Sequence, residues 1–95
     1  MNVHWTENAI EHLASIYEYI ALNSPTYARG MVDRITRRSS QIADSPLSCR
    51  MVPEYHASDI RELIEKPYRI IYRIKQDRID VLPVIHGARL LPDEL

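Results

Sequence analysis

Cysteine is almost missing from this chain. Cys49 stands alone, so no internal disulfide can form and a reducing compartment is expected. Glycine occurs only at Gly30 and Gly87, which leaves no glycine-rich loop to cradle a phosphate. The histidines His4, His12, His56 and His86 are scattered and fall into no ligand spacing with Cys49, so neither a metal nor a cofactor is expected. No serine sits in a nucleophile-elbow motif. The N-terminus reads Met1-Asn2-Val3-His4-Trp5, with no basic start, and no long apolar run follows. A signal peptide and a membrane span are therefore not expected, and the protein is read as cytoplasmic. The net charge of −1 gives no overall attraction to nucleic acid.

What is present fits one small domain, residues 1–95, with 45% apolar and 26% charged residues. A core of this size leaves room for a stabilising partner. The neutral total hides an asymmetry. Residues 25–43 carry Arg29, Arg34, Arg37 and Arg38 against only Asp33, whereas residues 6–22 carry Glu7, Glu11 and Glu18 and no cation. Such runs are read first as solvated helix faces.

The apolar periodicity changes along the chain. Residues 2–5 alternate as a short strand, with Val3 and Trp5 on one side. Thr6 can cap a helix whose apolar face is Ile10, Leu13, Tyr17 and Ile20. Asn23-Ser24-Pro25 closes that helix and starts a second, with Ser24 as cap and Pro25 at the first position. The second carries Ala28, Met31, Ile35 and Ile42, and Asp44-Ser45-Pro46 ends it. A short link between two amphipathic helices predicts an antiparallel helical hairpin. After an irregular stretch, residues 60–65 read as a strand, Lys66-Pro67 breaks it, and residues 68–75 alternate clearly. There Tyr68, Ile70, Tyr72 and Ile74 point one way and Arg69, Ile71, Arg73 and Lys75 the other. Gln76-Asp77 turns the chain into a strand over 78–86, where Pro83 demands an edge position or a bulge. The expected order is β-α-α-β-β-β: an α+β domain with an N-terminal strand and a helical hairpin packed on a small antiparallel sheet.

Three segments carry a resemblance. Arg61-Glu62-Leu63 precedes Pro67-Tyr68-Arg69-Ile70-Ile71-Tyr72-Arg73, and Asp80-Val81-Leu82 runs into His86-Gly87-Ala88-Arg89. In this order and at this chain length they resemble the RelE/ParE toxin superfamily, often described as plasmid stabilisation proteins. The resemblance implies a growth-arresting toxin held by a cognate antitoxin in a hetero-oligomer. It also implies one of two activities. RelE-like members cleave mRNA in the ribosome; ParE-like members inhibit DNA gyrase and are not nucleases.

Ribosomal cleavage needs a base near the 2′-OH, cations for the phosphate and an acid for the leaving oxygen. Arg69 and Arg89 match two functional arginines of RelE-like toxins, and His86 is a candidate acid or base. Glu62, however, stands where those nucleases place a lysine, and the tail Asp93-Glu94-Leu95 lacks their C-terminal tyrosine. Structural roles are open for each of these residues: salt bridges of Arg69 and Arg89 to Glu62, Asp80 or the antitoxin, a backbone hydrogen bond at His86, and charge pairing of Glu62 beside Arg61. Residues 7–43 supply two helices of about five turns each. So long a pair resembles the ParE branch, which is the favoured reading; an inactive antitoxin-binding module is the third. The expected surface for target or antitoxin sets Leu63, Ile71, Leu90 and Leu91 among Arg61, Arg69, Arg73 and Arg89, suited to an acidic amphipathic antitoxin tail.

Overall fold

The computed structural model describes residues 1–89, 91–92 and 95. Strand β1 (Asn2–Trp5) leads into helices α1 (Glu7–Ala21) and α2 (Pro25–Ser40). Two 3₁₀ turns, Gln41–Asp44 and Pro46–Ser48, carry the chain to β2 (Arg50–Met51), β3 (Ile60–Glu65), β4 (Tyr68–Ile74) and β5 (Arg78–His86). The strands form one sheet in the order β1-β5-β4-β3-β2.

The expected architecture is there, with two differences. The sheet is mixed, because β1 pairs with β5 in parallel while the other pairings are antiparallel. Hairpin reasoning sees only strands adjacent in sequence, and β1 finds its partner at the far end of the chain. The second difference is β2, whose two residues pair with β3 and are too few to show alternation.

The helices start where their caps predict. Thr6 Oγ1 accepts the Ala9 N–H at 3.3 Å and donates to the Val81 carbonyl at 2.7 Å, so one hydroxyl caps α1 and ties it to β5. Ser24 accepts the Tyr27 N–H at 3.1 Å, and Pro25 fills the first turn of α2. With 15 and 16 residues the helices make about four turns, not five, since residues 41–44 tighten into a 3₁₀ turn. The buried stripe of α1 is also rotated from the expected one. Ala9 is fully buried, with Leu13, Ile16 and Ile20 against the core, and Ile10 is 55% exposed.

The helical hairpin covers one face of the sheet. Met31, Ile35 and Ile42 pack there on Leu63, Tyr68, Ile70, Tyr72, Ile79, Val81 and Val84. The phenol of Tyr72 donates to the Pro46 carbonyl at 2.7 Å, which satisfies a buried hydroxyl and fastens the 3₁₀ turns. The opposite face carries a smaller apolar cluster, Val52, Ile60 and Ile71, flanked by Tyr55, Ala57, Ile85 and Leu91. Pro83 sits at a bulge: Ile70 pairs with Val84 but Tyr72 with Val81, so β5 has one residue more than β4. Since β5 is an inner strand, the bulge rather than an edge position accommodates the proline.

Candidate functional site

The face turned away from the helices holds the most concentrated charge. Glu62 on β3 and Arg69 on β4 lie diagonally across the strand pair, because Glu62 is opposite Ile71 and Ile64 opposite Arg69. Arg69 Nε donates to Glu62 Oε1 at 2.6 Å. The two terminal nitrogens of Arg69 form a fork on Glu54, at 2.8 and 2.9 Å. The other oxygen of Glu62 accepts from Arg50 on β2. The result is a continuous chain, Arg50–Glu62–Arg69–Glu54, of two guanidinium groups and two carboxylates. Glu62 is 1% exposed and Arg69 8%.

Burial of this kind demands pairing. The hydrogen bond from Arg69 holds the Glu54 carboxyl below the usual carboxylate range. Hydrogen bonds to Glu54 and Glu62 push Arg69 further above an ordinary arginine, against the opposing effect of burial. The guanidinium stays charged, and all three of its nitrogens are engaged. Arg69 is thus a fastener for the 52–57 segment over the sheet, not a free phosphate fork.

The expected binding surface is not what the fold builds. Leu63 is buried under the helices and Ile71 is buried on the opposite face, so they form no common apolar patch. Period-two alternation puts odd residues of β3 on the helix side, while the register places Ile71 on the other. Arg61 spends its guanidinium on backbone carbonyls, Ser58 at 3.0 Å and Cys49 at 3.1 Å, and so pins the loop around β2. Arg73 is half-buried with Asp59 at 3.9 Å. Leu91 packs at the margin of the Ile71 cluster, and Leu90 lies outside the described residues. Burial pushes the Asp80 carboxyl up, but Lys75 at 3.2 Å and Arg78 at 2.9 Å outweigh it and hold it low.

His86 and Arg89 remain at the surface, beyond the β5 bulge. His86 accepts the Ala88 N–H on Nδ1 at 3.2 Å and meets the Tyr68 ring edge-on at 5.8 Å. The backbone hydrogen bond named as its structural alternative is the one observed. Gly87 is needed between them: a Cβ there would stand 3.2 Å from the Pro67 carbonyl, which accepts the Gly87 N–H at 2.7 Å. Arg89 is exposed and makes no ion pair among the described residues.

Sequence reasoning missed two participants. Glu54 lies in a loop without periodicity. His12 lies off the apolar stripe of α1, yet its Nδ1 accepts the Val84 N–H at 3.2 Å, the donor next to the bulge. His12 and Arg89 both line a cleft of about 640 Å³ between α1 and the end of β5, with Ser15, Tyr19, Tyr68 and His86. Among the described residues, no three His, Cys, Asp or Glu side chains are grouped to hold a metal ion, and no helix is long and apolar enough to cross a membrane.

Comparison with known proteins agrees with this architecture. Residues 3–91 match the family model for the ParE toxin of the type II toxin–antitoxin system, parDE. Toxin RelE2 of Caulobacter vibrioides (strain ATCC 19089 / CIP 103742 / CB 15) is 30% identical over 87 residues, which are 90% of this chain and 94% of that protein. Among solved structures, the chromosomal ParDE TA system from P. aeruginosa superposes with a TM-score of 0.75 at 25% identity, covering 90% of this chain and 95% of that one. The YoeB dimer from Staphylococcus aureus shares the fold, with a TM-score of 0.58 at 16% identity over 87% of this chain and 92% of that one. The chain belongs to the ParE toxin family of type II toxin–antitoxin systems.

Proposed function

We propose that this toxin arrests growth by inhibiting DNA gyrase in the cytoplasm, that it cuts no RNA, and that a cognate antitoxin silences it. The observation that carries this reading is the occupied guanidinium of Arg69. A nuclease of this fold would need that cation for the scissile phosphate. Here Glu62 and Glu54 take up its donors, and their carboxylates would repel a phosphate approaching the same face. Among the described residues Arg89 is the one arginine lining its cleft, and His86 has one ring nitrogen committed to the backbone. Stabilising a pentacoordinate phosphate usually takes several cations placed together, and this face offers a charge-balanced network instead. A protein target reached through surface complementarity makes no such demand.

The experiment is a supercoiling assay with purified toxin and gyrase, run beside a translating extract. Loss of supercoiling with intact mRNA is expected. Codon-linked cuts in mRNA with normal supercoiling would overturn the reading in favour of ribosome-dependent cleavage through His86 and Arg89. Expression without antitoxin that leaves growth unchanged would identify an inactive antitoxin-binding module.

A further inference from the structure

We propose that one edge of α2, together with the turn between β3 and β4, holds the phosphate backbone of duplex DNA. The duplex is the substrate of the enzyme named in the preceding reading, and the biological setting of the contact rests on that reading. Arg34, Arg37, Arg38 and Gln41 recur at spacings of three and four, so they share one side of the helix over about 10 Å at 1.5 Å per residue. Glu65, the last residue of β3, reaches that side, and the exposed Lys66 follows it in the turn. Asp33 lies one turn from Arg29 and offsets it. Four cations therefore stand against the one carboxylate of Glu65 among the described residues, a surplus of three positive charges. The negative end of the helix dipole accounts for Arg37 and Arg38 in the last turn of α2, but not for Arg34 or Lys66.

Two of these guanidinium groups are held in place with donors to spare. Arg38 Nη1 donates to the Ile64 carbonyl at 2.6 Å and to Glu65 Oε1 at 3.0 Å. Arg34 Nε stands 3.8 Å from the other oxygen of Glu65, and its Nη2 donates to the Met31 sulphur at 3.9 Å. The same guanidinium lies over the Tyr27 ring, 5.8 Å from its centroid, with Nη1 3.5 Å from where a Cβ on Gly30 would stand. Even so, the side chains of Arg34 and Arg38 remain 43% and 44% exposed. Arg34 Nη1 and the Nε and Nη2 of Arg38 have no acceptor among the described residues, and Arg37 and Lys66 have no ion pair there. Arg69 is the opposite case, with every nitrogen spent. A ligand on α2 meets cations already ordered, which lowers the entropy lost on binding.

The composition of the edge selects the occupant. From Arg34 to Gln41 it presents three arginines and an amide, without an apolar side chain. A protein partner is held by aromatic or aliphatic anchors buried at the centre of its interface, and this stretch offers none. Single-stranded RNA is gripped largely by bases stacked on aromatic rings. The edge has one ring, Tyr27, and Arg34 already lies over it. Guanidinium, ammonium, amide and phenol donors in a row are the groups that position a protein on the backbone of a duplex. Such a contact is independent of sequence and carried by charge.

The test is fluorescence anisotropy of a short labelled DNA duplex titrated with the full-length toxin at several salt concentrations, without gyrase. Three engaged charges predict a slope of about −2.7 for the logarithm of affinity against that of salt. Arg37→Gln should make the slope shallower by about one. Arg34→Gln combined with Arg37→Gln should do so by about two and weaken binding about tenfold or more at low salt. Lys75→Gln, beyond the far end of β4, makes the same charge change and should alter neither quantity. Thermal melts close to wild type keep a loss from being one of folding. No duplex binding at the lowest salt, or slopes indifferent to the α2 variants, would overturn the contact even if supercoiling is inhibited. Tighter binding of a single-stranded RNA would overturn the duplex assignment, and tighter binding of polyglutamate would transfer the edge to an acidic protein. The expected slopes in a toxin that leaves supercoiling untouched would overturn the gyrase reading and leave the DNA contact standing.

Discussion

The two faces of the sheet are held down by different physics. Under the helices, a continuous layer of Ile, Val, Leu and Tyr side chains meets the apolar stripes of α1 and α2, and the buried Tyr72 hydroxyl has its acceptor. On the other face, a three-residue apolar cluster is extended by a chain of alternating charges that reaches from β2 through β3 and β4 to the 52–57 loop. The first face is built from non-directional burial and tolerates changes that conserve volume. The second depends on directional pairs and fails when one partner is removed. The comparison explains why a face that looks cationic in sequence offers so little free charge in the fold.

The helix face breaks most severely at its centre. Tyr72→Ala removes a fully buried ring together with its bond to Pro46, and a loss of about 3–5 kcal/mol is expected in urea unfolding. A loss under about 1 kcal/mol would show that the hairpin does not clamp this face. On the opposite face, Arg69→Ala strands Glu62 with Arg50 alone. About 3 kcal/mol should be lost, whereas Arg69→Met combined with Glu62→Leu should recover most of it, because paired charges are replaced together by apolar groups of similar size. If single and double variants unfold alike, the charge chain is not a coupled unit.

Acid should distinguish the faces more gently. Glu54 titrates below its ordinary value of 4.5 in the folded chain, so the unfolded chain binds the proton more readily. The stability it contributes is present above that value and fades as the pH falls through the lowered one. Asp80 acts in the same sense from its ordinary value of 3.8. Unfolding midpoints measured from pH 7 to pH 3 should decline, and Glu54→Gln should make the slope shallower by a small amount. An unchanged slope would mean that the Arg69–Glu54 fork contributes nothing measurable in solution.

Much of this was readable from the residues because two periods organise the chain. Alternation in 68–75 separated Tyr68, Ile70 and Tyr72 from Arg69, Ile71 and Arg73, and the sheet keeps that division. The capping residues Thr6 and Ser24 placed the helix starts, and Pro83 called for an edge position or a bulge, of which the fold uses the bulge. Ile10 misled because an apolar residue at helical spacing need not face the core when Ala9, one position away, fits closer to the sheet. The parallel pairing of β1 was hidden because it joins residues more than seventy positions apart. At the site, an Arg69–Glu62 pair was among the readings, but the closing partner Glu54 comes from a loop whose path depends on tertiary contacts. His12 was invisible for the same reason: the N–H it satisfies is exposed only by a bulge on a distant strand.

The most direct test of the central claim concerns Arg69 itself, taken here as a fastener and not an effector. The double variant Arg69→Met with Glu62→Leu removes its charge without leaving a buried carboxylate unpaired. Expressed without antitoxin, and shown to be folded by its thermal melt, it is predicted to arrest growth as the wild-type toxin does. A folded double variant that leaves cells growing normally would contradict the account and return Arg69 to the effector site.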